Sequence, residues 1–319
     1  MIGNSLFFNR HFIISILLFF GITAYSQNAE NIIVDTIKPG NFYKTDSIFS
    51  FRSPKGYFPS MAHNFRAQIT SPLRFSKKEW LLTGAAAGIT TSLFFLDAEL
   101  DKWATVQKDK HPFVENVSPV FTEFGGKYGY GLVGVIGTMS ALFKKQKGVQ
   151  TSLLASQAVI TSGVWLQTIK LLTGRERPKG AYLYSQNTSG EWNGPFSRFE
   201  KQGAYNKSVF AYDAFPSGHT AVAFSIATVF ATQYNDVKAI PIVCYSTASL
   251  IGISRMIEHE HWASDVFAGA VLGYFCGKQV TKHINKTHSK IPGLANGHLP
   301  ATQVTFIQYG NQAGFAIRW

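Results

Sequence analysis

The chain has 319 residues and a net charge of +12, but only 15% of its residues are charged and 14% are aromatic. A soluble domain usually has about 25% charged residues, so the composition argues against a freely soluble enzyme, and its aromatic content excludes a disordered chain. Two cysteines, Cys244 and Cys276, exclude a disulfide scaffold, and their apolar surroundings predict buried free thiols. Because Lys and Arg are scattered, the charge fits a membrane surface or a phosphate substrate better than nucleic acid.

The N-terminus has the pattern of an export signal. A short basic start precedes an apolar run over 12–24, and small residues surround a cleavage site after Ser26. We predict a signal peptide over 1–26, with an uncleaved signal anchor as the alternative. Residues 27–78 are polar, broken by Gly, Pro and Ser, and contain short β-like runs, which indicates an irregular extramembrane segment.

Six later stretches contain no Asp, Glu, Lys or Arg and are rich in Gly, Ala, Ser and Thr. They cover residues 80–96, 128–143, 148–169, 220–235, 239–254 and 266–277. A soluble bundle would carry charges on the outer face of each helix, whereas small residues allow helices to pack closely in a bilayer. The sequence therefore predicts an all-α, six-helix transmembrane bundle over 79–283, with a buried soluble bundle as the alternative.

The segments around these stretches have patterns of their own. Residues 112–121 are amphipathic, which predicts a position at the membrane interface. The long polar loop 180–215 is typical of a lid or a binding element. In the tail, residues 284–319, apolar residues alternate on both sides of a Gly310–Gly314 turn, which predicts a β-hairpin.

The first of three polar clusters at the ends of the apolar stretches contains Lys170 and Arg177. Seven residues are about two helical turns, so a helix would place both cations on one face. Adjacent cations repel each other unless an anion bridges them. The structural alternative is a positive anchor at a membrane helix end.

The second cluster, residues 215–220, precedes the fourth apolar stretch. Ser217 and Gly218 begin a predicted helix, whose free backbone N–H groups form an anion site. Ser217 adds a hydroxyl group and His219 a titratable proton. The structural alternative is a simple helix cap with an incidental histidine.

The third cluster contains Arg255, His259, His261 and Asp265. His261 and Asp265 are four residues apart, so a helix would bring them into contact. The carboxylate would then fix one ring nitrogen and leave the other free as a nucleophile or base. A His–Asp surface pair is one alternative, and a metal site at His259 and His261, which the cations would oppose, is another.

Three cations, a helix start, two histidines and a carboxylate suit a bound phosphate group and its five-coordinate transition state. One histidine would attack phosphorus while the other protonates the leaving oxygen, with no metal required. In this order, the three clusters resemble the signature of the type 2 phosphatidic acid phosphatase / vanadium haloperoxidase superfamily, in its membrane lipid phosphatase branch. The resemblance covers residues 79–283.

The resemblance implies a six-helix bundle in which His261 forms a phosphohistidine, Asp265 orients it and His219 is the general acid. It implies that the phosphate oxygens are held by Lys170, Arg177, Ser217, Gly218 and Arg255. It further implies a phosphatase without metal or cofactor, acting on a membrane lipid phosphomonoester or diphosphate. Substrates of this kind are phosphatidate, phosphatidylglycerol phosphate, polyprenyl diphosphates and lipid A phosphates.

Three other functions stay open: an exported acid phosphatase for soluble phosphomonoesters, a vanadate-dependent haloperoxidase, and a non-catalytic envelope protein. Six crossings place both bundle ends on one face and the polar clusters on the other. A cleaved signal would put the clusters in the cytoplasm, whereas basic residues near the bundle ends favour the opposite orientation. We expect an integral membrane protein of the cell envelope with a periplasmic site, which binds a lipid phosphate and no nucleic acid.

Overall fold

The structure is a computed structural model that describes residues 54–181, 190–200, 211–288, 303–309 and 312–318. The predicted signal peptide and the β-like runs before residue 54 lie outside these ranges. So do two parts of the long polar loop, residues 182–189 and 201–210.

The secondary structure of the described residues is mainly helical. In chain order the longer helices are α1 (Pro54–Thr70), α2 (Lys77–Lys110), α3 (Pro112–Phe124), α4 (Lys127–Leu142), α5 (Gln146–Thr173), α6 (Gly218–Gln233), α7 (Ala239–Ile257) and α8 (Ala263–His288). Short helical turns lie at Pro72–Arg74, Pro178–Gly180 and Ser197–Glu200. Two strands, β1 (Gln303–Tyr309) and β2 (Gln312–Arg318), follow.

The six predicted apolar stretches fall on α2, α4, α5, α6, α7 and α8, and only 128–143 and 220–235 run past a helix end, by one and two residues. The predicted six-helix bundle is confirmed. Helix α6 lies at its centre and packs against α5, α7 and α8. Small residues bring α6 and α8 close together, because a Cβ atom at Gly273 would clash with the Ala221 carbonyl oxygen. A Cβ at Gly269 would likewise clash with the backbone of Ser217. This close approach fixes the start of α6 against the start of α8, where the second and third clusters lie.

The prediction of an irregular segment over 27–78 is wrong for its described part, which is helical. Helix α1 packs against α5 through buried amide side chains: Asn64 donates to Gln157 at 2.8 Å and Gln68 donates to Thr161 at 3.0 Å. These long-range partners stabilise α1, and local composition does not reveal them. Helix α2 also begins earlier than predicted, because Ser76 and Glu79 form a capping box.

Two helices, α2 and α7, are long and apolar enough to cross a membrane. Helix α2 turns two of its carboxylates inward, since its buried residues are Asp97, Asp101 and Ala104. Its large apolar side chains lie on the outside, with Leu81 73% and Phe95 82% exposed. Such an apolar outer face with a polar inner face is the arrangement expected of a helix in contact with lipid.

The remaining predicted features outside the bundle core are also present. Residues 112–121 lie within α3, and Phe113 on that helix is 75% exposed. Strands β1 and β2 pair in antiparallel register, with Tyr309 opposite Gln312, so the predicted hairpin forms. Cys244 and Cys276 are both free thiols, but only Cys276 is buried; the prediction of burial is wrong for Cys244, which is partly exposed.

Candidate active site

Lys170 and Arg177 come together in a way that the sequence did not predict. Gly174 adopts a left-handed conformation, with φ of 54°, and ends α5 between them, so the two cations do not share a helix face. Asp213 joins them instead. Lys170 Nζ donates to the Asp213 carbonyl oxygen at 2.5 Å, and Arg177 Nε donates to Asp213 Oδ1 at 2.8 Å. Because all three side chains are mostly buried, this carboxylate fixes both cations in place.

Arg255, the third predicted cation, lies in the last turn of α7. Its Nη1 donates to Thr122 Oγ1 of α3 at 3.1 Å and to Glu258 Oε2 at 2.6 Å. Glu260 accepts a hydrogen bond from Arg177 Nη1 and lies 3.7 Å from Arg255 Nη2. Carboxylates therefore alternate with the three cations and offset their mutual repulsion.

The start of α6 forms the wall between these cations and α8. Ser217 is the N-cap residue, is fully buried, and donates its backbone N–H to the Asp265 carbonyl oxygen at 2.9 Å. Its hydroxyl makes no capping bond to the helix and accepts from Thr220 Oγ1 at 2.9 Å. The first N–H groups of α6, including that of Gly218, have no carbonyl partner earlier in the helix. This positive helix end is suited to bind an anion.

His261 is buried, and Ala214 fixes its tautomer. Its Nδ1 lies 2.8 Å from the Ala214 carbonyl oxygen. A carbonyl only accepts, so Nδ1 carries the proton and Nε2 is left as the nucleophilic nitrogen. Burial, followed by the charges of the three cations, lowers the pKa of His261 well below its ordinary value. The ring is therefore neutral at neutral pH, as a nucleophile must be.

Asp265 does not orient the His261 ring directly, in contrast to the expectation from their spacing. Helix α8 begins at Ala263, so His261 lies outside it, and its Nδ1 is 3.8 Å from Asp265 Oδ2. Asp265 Oδ2 instead accepts from the backbone N–H of Trp262 at 2.9 Å. Asp265 thus positions His261 through the backbone of the next residue.

Asp265 also belongs to a buried ion network that sequence reasoning missed. Arg175 donates to Asp265 Oδ1 at 2.5 Å and to Asp97 Oδ2 at 2.6 Å, and all three side chains are at most 1% exposed. Asp97 also accepts from the backbone N–H of Ser264 at 2.9 Å. The network ties α2 to the start of α8. The available signal was Asp97 itself, a charge directly after a long apolar stretch.

Aromatic side chains enclose the Arg175 guanidinium. Its centre lies 5.1 Å from the ring of Phe94, 4.9 Å from that of Trp192 and 5.5 Å from that of Trp262. Such contacts stabilise a desolvated arginine. Trp192 belongs to the predicted lid, so a described part of that loop packs onto the ion network.

His219 is the second residue of α6 and is half-buried. It lies against the corner between α3 and α4, where a Cβ at Gly125 would be only 2.9 Å from His219 Cβ. Lys170, Arg177 and Arg255 act electrostatically on this histidine as they do on His261. The fold therefore gathers the eight predicted site residues, including both histidines, around one group of cations.

His259 faces away from this group. Its Nδ1 lies 3.0 Å from Asp101 Oδ1 and its Nε2 lies 3.3 Å from Thr105 Oγ1. His259 and His261 thus contact different partners. Across the part of the chain that the structure describes, no three His, Cys, Asp or Glu side chains are placed to hold a metal ion.

Comparison with known proteins finds relatives that are phosphatases by name. Lipid A 1-phosphatase of Porphyromonas gingivalis is 44% identical over 69 residues, which are 21% of this chain and 16% of that protein. Lipid phosphate phosphatase 1 of Arabidopsis thaliana is 30% identical over 146 residues, 38% of this chain and 42% of that protein. The chain therefore spans less than half the length of these relatives.

Two solved structures also align. Aquifex aeolicus LpxE has a TM-score of 0.43 at 25% identity and covers 59% of this chain and 95% of its own. A Bacillus subtilis transmembrane phosphatidylglycerolphosphate phosphatase of the PAP2 type has a TM-score of 0.41 at 20% identity, covering 76% of this chain and 97% of its own. Residues 151–288, which contain all the predicted site residues, match the PAP2 superfamily. The part of the chain that contains these residues is therefore similar to the PAP2 superfamily.

Proposed function

We propose that this chain is a metal-independent phosphatase that hydrolyses a membrane lipid phosphate through a phosphohistidine on His261. The observation that carries the proposal is the buried, neutral His261, with Nδ1 fixed by Ala214 and three cations around it. The similarity to a lipid A 1-phosphatase and a lipid phosphate phosphatase supports a lipid as the substrate. We propose residues 79–283 as the catalytic unit.

Binding would place the phosphate group at the start of α6. Its oxygens would accept hydrogen bonds from the backbone N–H of Gly218 and from Ser217. The three cations, Lys170, Arg177 and Arg255, would supply positive charge opposite the negative phosphate oxygens. These fixed donors stabilise the equatorial oxygens most strongly in the five-coordinate transition state, where negative charge is greatest.

In the first chemical step His261 Nε2 attacks phosphorus, a P–N bond forms and the P–O bond to the leaving group breaks. Protonated His219 gives its proton to the leaving oxygen. In the second step water attacks phosphorus and His219 takes its proton. The P–N bond then breaks, and inorganic phosphate and neutral His261 are released. Burial and then the charges of Arg255, Arg177 and Lys170 lower the pKa of His219 to about 3 in the free protein. The bound phosphate dianion would have to raise this pKa to give the protonated form that the first step needs.

The proposed lipid substrate requires a site that opens to a membrane. The exposed apolar face of α2 supports this placement, because its large apolar side chains point outward while Asp97 and Asp101 are buried. We propose an integral protein of the cell envelope with the site on the periplasmic side. The substrate class is a lipid phosphomonoester or diphosphate of the phosphatidate or lipid A type.

Phosphate release should persist in EDTA and be blocked by orthovanadate. The phosphate is bound by side-chain cations, and vanadate adopts the five-coordinate geometry of the transition state. The measurement is phosphate release by the purified chain from a panel of lipid and soluble phosphates, with and without each reagent. Complete loss of activity in EDTA, restored by a divalent cation, would contradict the proposal. Activity on soluble phosphomonoesters alone would support the acid phosphatase alternative.

The chain should sediment with membranes and require detergent for extraction. The physical reason is the apolar outer face of α2, which water would solvate poorly. The measurement is the distribution of active protein after a high-salt wash followed by detergent. Recovery of active protein in the salt supernatant would rule out membrane insertion.

A further inference from the structure

One carboxylate lies between two of the cations that are proposed to hold the phosphate. Glu260 Oε2 accepts a hydrogen bond from Arg177 Nη1 and lies 3.7 Å from Arg255 Nη2. A phosphate oxygen that contacts both guanidinium groups would need the same position. Two anions cannot share it without strong repulsion.

Glu260 differs from the other carboxylates beside these cations. Its side chain is 27% exposed, whereas that of Asp213 is 5% exposed and bonds to both Lys170 and Arg177. Glu258 is held by Ser118 and Thr122 of α3 in addition to its bond to an arginine. Among the described residues, the Glu260 carboxylate contacts the two arginines and no other polar side chain.

The backbone around Glu260 is fixed, so a displacement would involve its side chain alone. Its N–H donates to the Arg255 carbonyl oxygen at 3.1 Å. The preceding residue, His259, accepts from the backbone N–H of Lys179 at 3.1 Å, and its ring lies 3.0 Å from Asp101. Rotation of the Glu260 side chain toward solvent would free Arg177 Nη1 and Arg255 Nη2 and leave the loop in place.

We propose that Glu260 is an internal competitor of the phosphate group. Its carboxylate neutralises Arg177 and Arg255 and must leave when substrate binds, so it weakens the binding of substrate phosphate and of released phosphate alike. Weak binding of the product favours turnover. This inference rests on the proposed function, because it takes these arginines as phosphate ligands.

The test is direct binding of inorganic phosphate and orthovanadate to the full chain in detergent, measured by calorimetry. Glu260→Gln should bind both anions roughly tenfold more tightly, since they no longer displace a charge-assisted hydrogen bond. Glu260→Ala, which has neither the carboxylate nor the amide oxygen of the glutamine variant, should bind both anions at least as tightly. The matched control is Glu99→Gln, which removes the same charge from an exposed side chain of α2 and should change affinity less than about twofold.

Equal or weaker binding by the Glu260 variants would overturn the inference. Weaker binding would mean that Glu260 holds the two arginines in their binding positions. Hydrolysis of a lipid phosphate is assayed on the same samples. If neither the wild-type chain nor the variants hydrolyse the lipid phosphate, the proposed function fails. If the Glu260 variants still bind inorganic phosphate more tightly in that case, the competitor role is supported.

Discussion

Replacement of His261 by alanine should reduce phosphate release by on the order of 10⁴–10⁶-fold on every substrate, because it removes the nucleophile itself. The side chain is buried and bonded to the Ala214 carbonyl oxygen, so the variant's folding must be checked by thermal unfolding in detergent. The measurement is initial phosphate release from a lipid alkyl phosphate and from an aryl phosphate with an acidic phenol.

His219→Ala is the matched variant, and its defect should depend on the substrate. General acid catalysis contributes about 10²–10⁴-fold, and only when the leaving oxygen needs a proton. In the first turnover, release of the lipid alcohol should therefore slow by that factor, whereas release of the phenol from the aryl phosphate should slow much less. Equal losses on both substrates in His219→Ala would argue against a role as general acid. Substantial activity in His261→Ala would argue against a histidine nucleophile at that position.

Arg175→Gln should destabilise the chain by about 3–5 kcal/mol, because it leaves Asp97 and Asp265 buried without their shared cation. The two carboxylates bond to the backbone at Ser264 and Trp262, so the loop that carries His261 should loosen with them. The measurement is the free energy of unfolding, or the Tm, of the purified protein in detergent, together with phosphate release.

The control for this variant is Arg74→Gln, at an exposed arginine that donates to Ala67 and Thr70 near the end of α1. It should change stability by no more than about 0.5 kcal/mol. Unfolding of Arg175→Gln at the temperature of the wild-type chain would show that the ion network contributes nothing to stability. Arg175→Lys should recover only part of the loss, since an ammonium group does not reproduce the fork of guanidinium donors.

Much of the fold was predictable because absence of charge is a strong signal over long stretches. Each predicted stretch matches one helix to within two residues at its ends, and the start of α6 at Gly218 follows from the local sequence. Residues at helix ends are near each other once the helices are antiparallel. This is why clusters that are far apart in sequence, such as those of Lys170 and His261, were expected at one site.

The sequence did not reveal which partners hold those residues. Ala214 orients His261 through a backbone carbonyl, and a carbonyl is present at every position, so no residue type marks it. Asp213 bridges Lys170 and Arg177 because Gly174 ends α5 and the chain turns Arg177 back toward the loop. The sequence pattern predicted one continuous helix at this point and so did not indicate this contact. Lys170 and Arg177 do not lie on one helix, because α5 ends at Thr173. His261 and Asp265 do not lie on one helix, because α8 begins at Ala263.

Helix α1, over residues 54–70, shows a second limit of predicting secondary structure from the sequence. Its sequence contains Pro59 and alternates polar with apolar residues, and neither property favours a helix. The buried amides of Asn64 and Gln68 find partners on α5, about ninety residues away. Tertiary contacts at that separation decide the local structure, and the local sequence pattern does not indicate them.

The most direct test of the central claim, that His261 is the covalent nucleophile, is to trap the phosphoenzyme. Purified chain is mixed with radiolabelled substrate, quenched within milliseconds in base, and digested to locate the label. We expect an acid-labile, base-stable phosphohistidine at His261 in the wild-type chain, and none in His261→Ala with any substrate. In His219→Ala the label should accumulate with the aryl phosphate, because the second step lacks its base. Label that persists in His261→Ala and disappears in His219→Ala would contradict the account and reverse the roles of the two histidines.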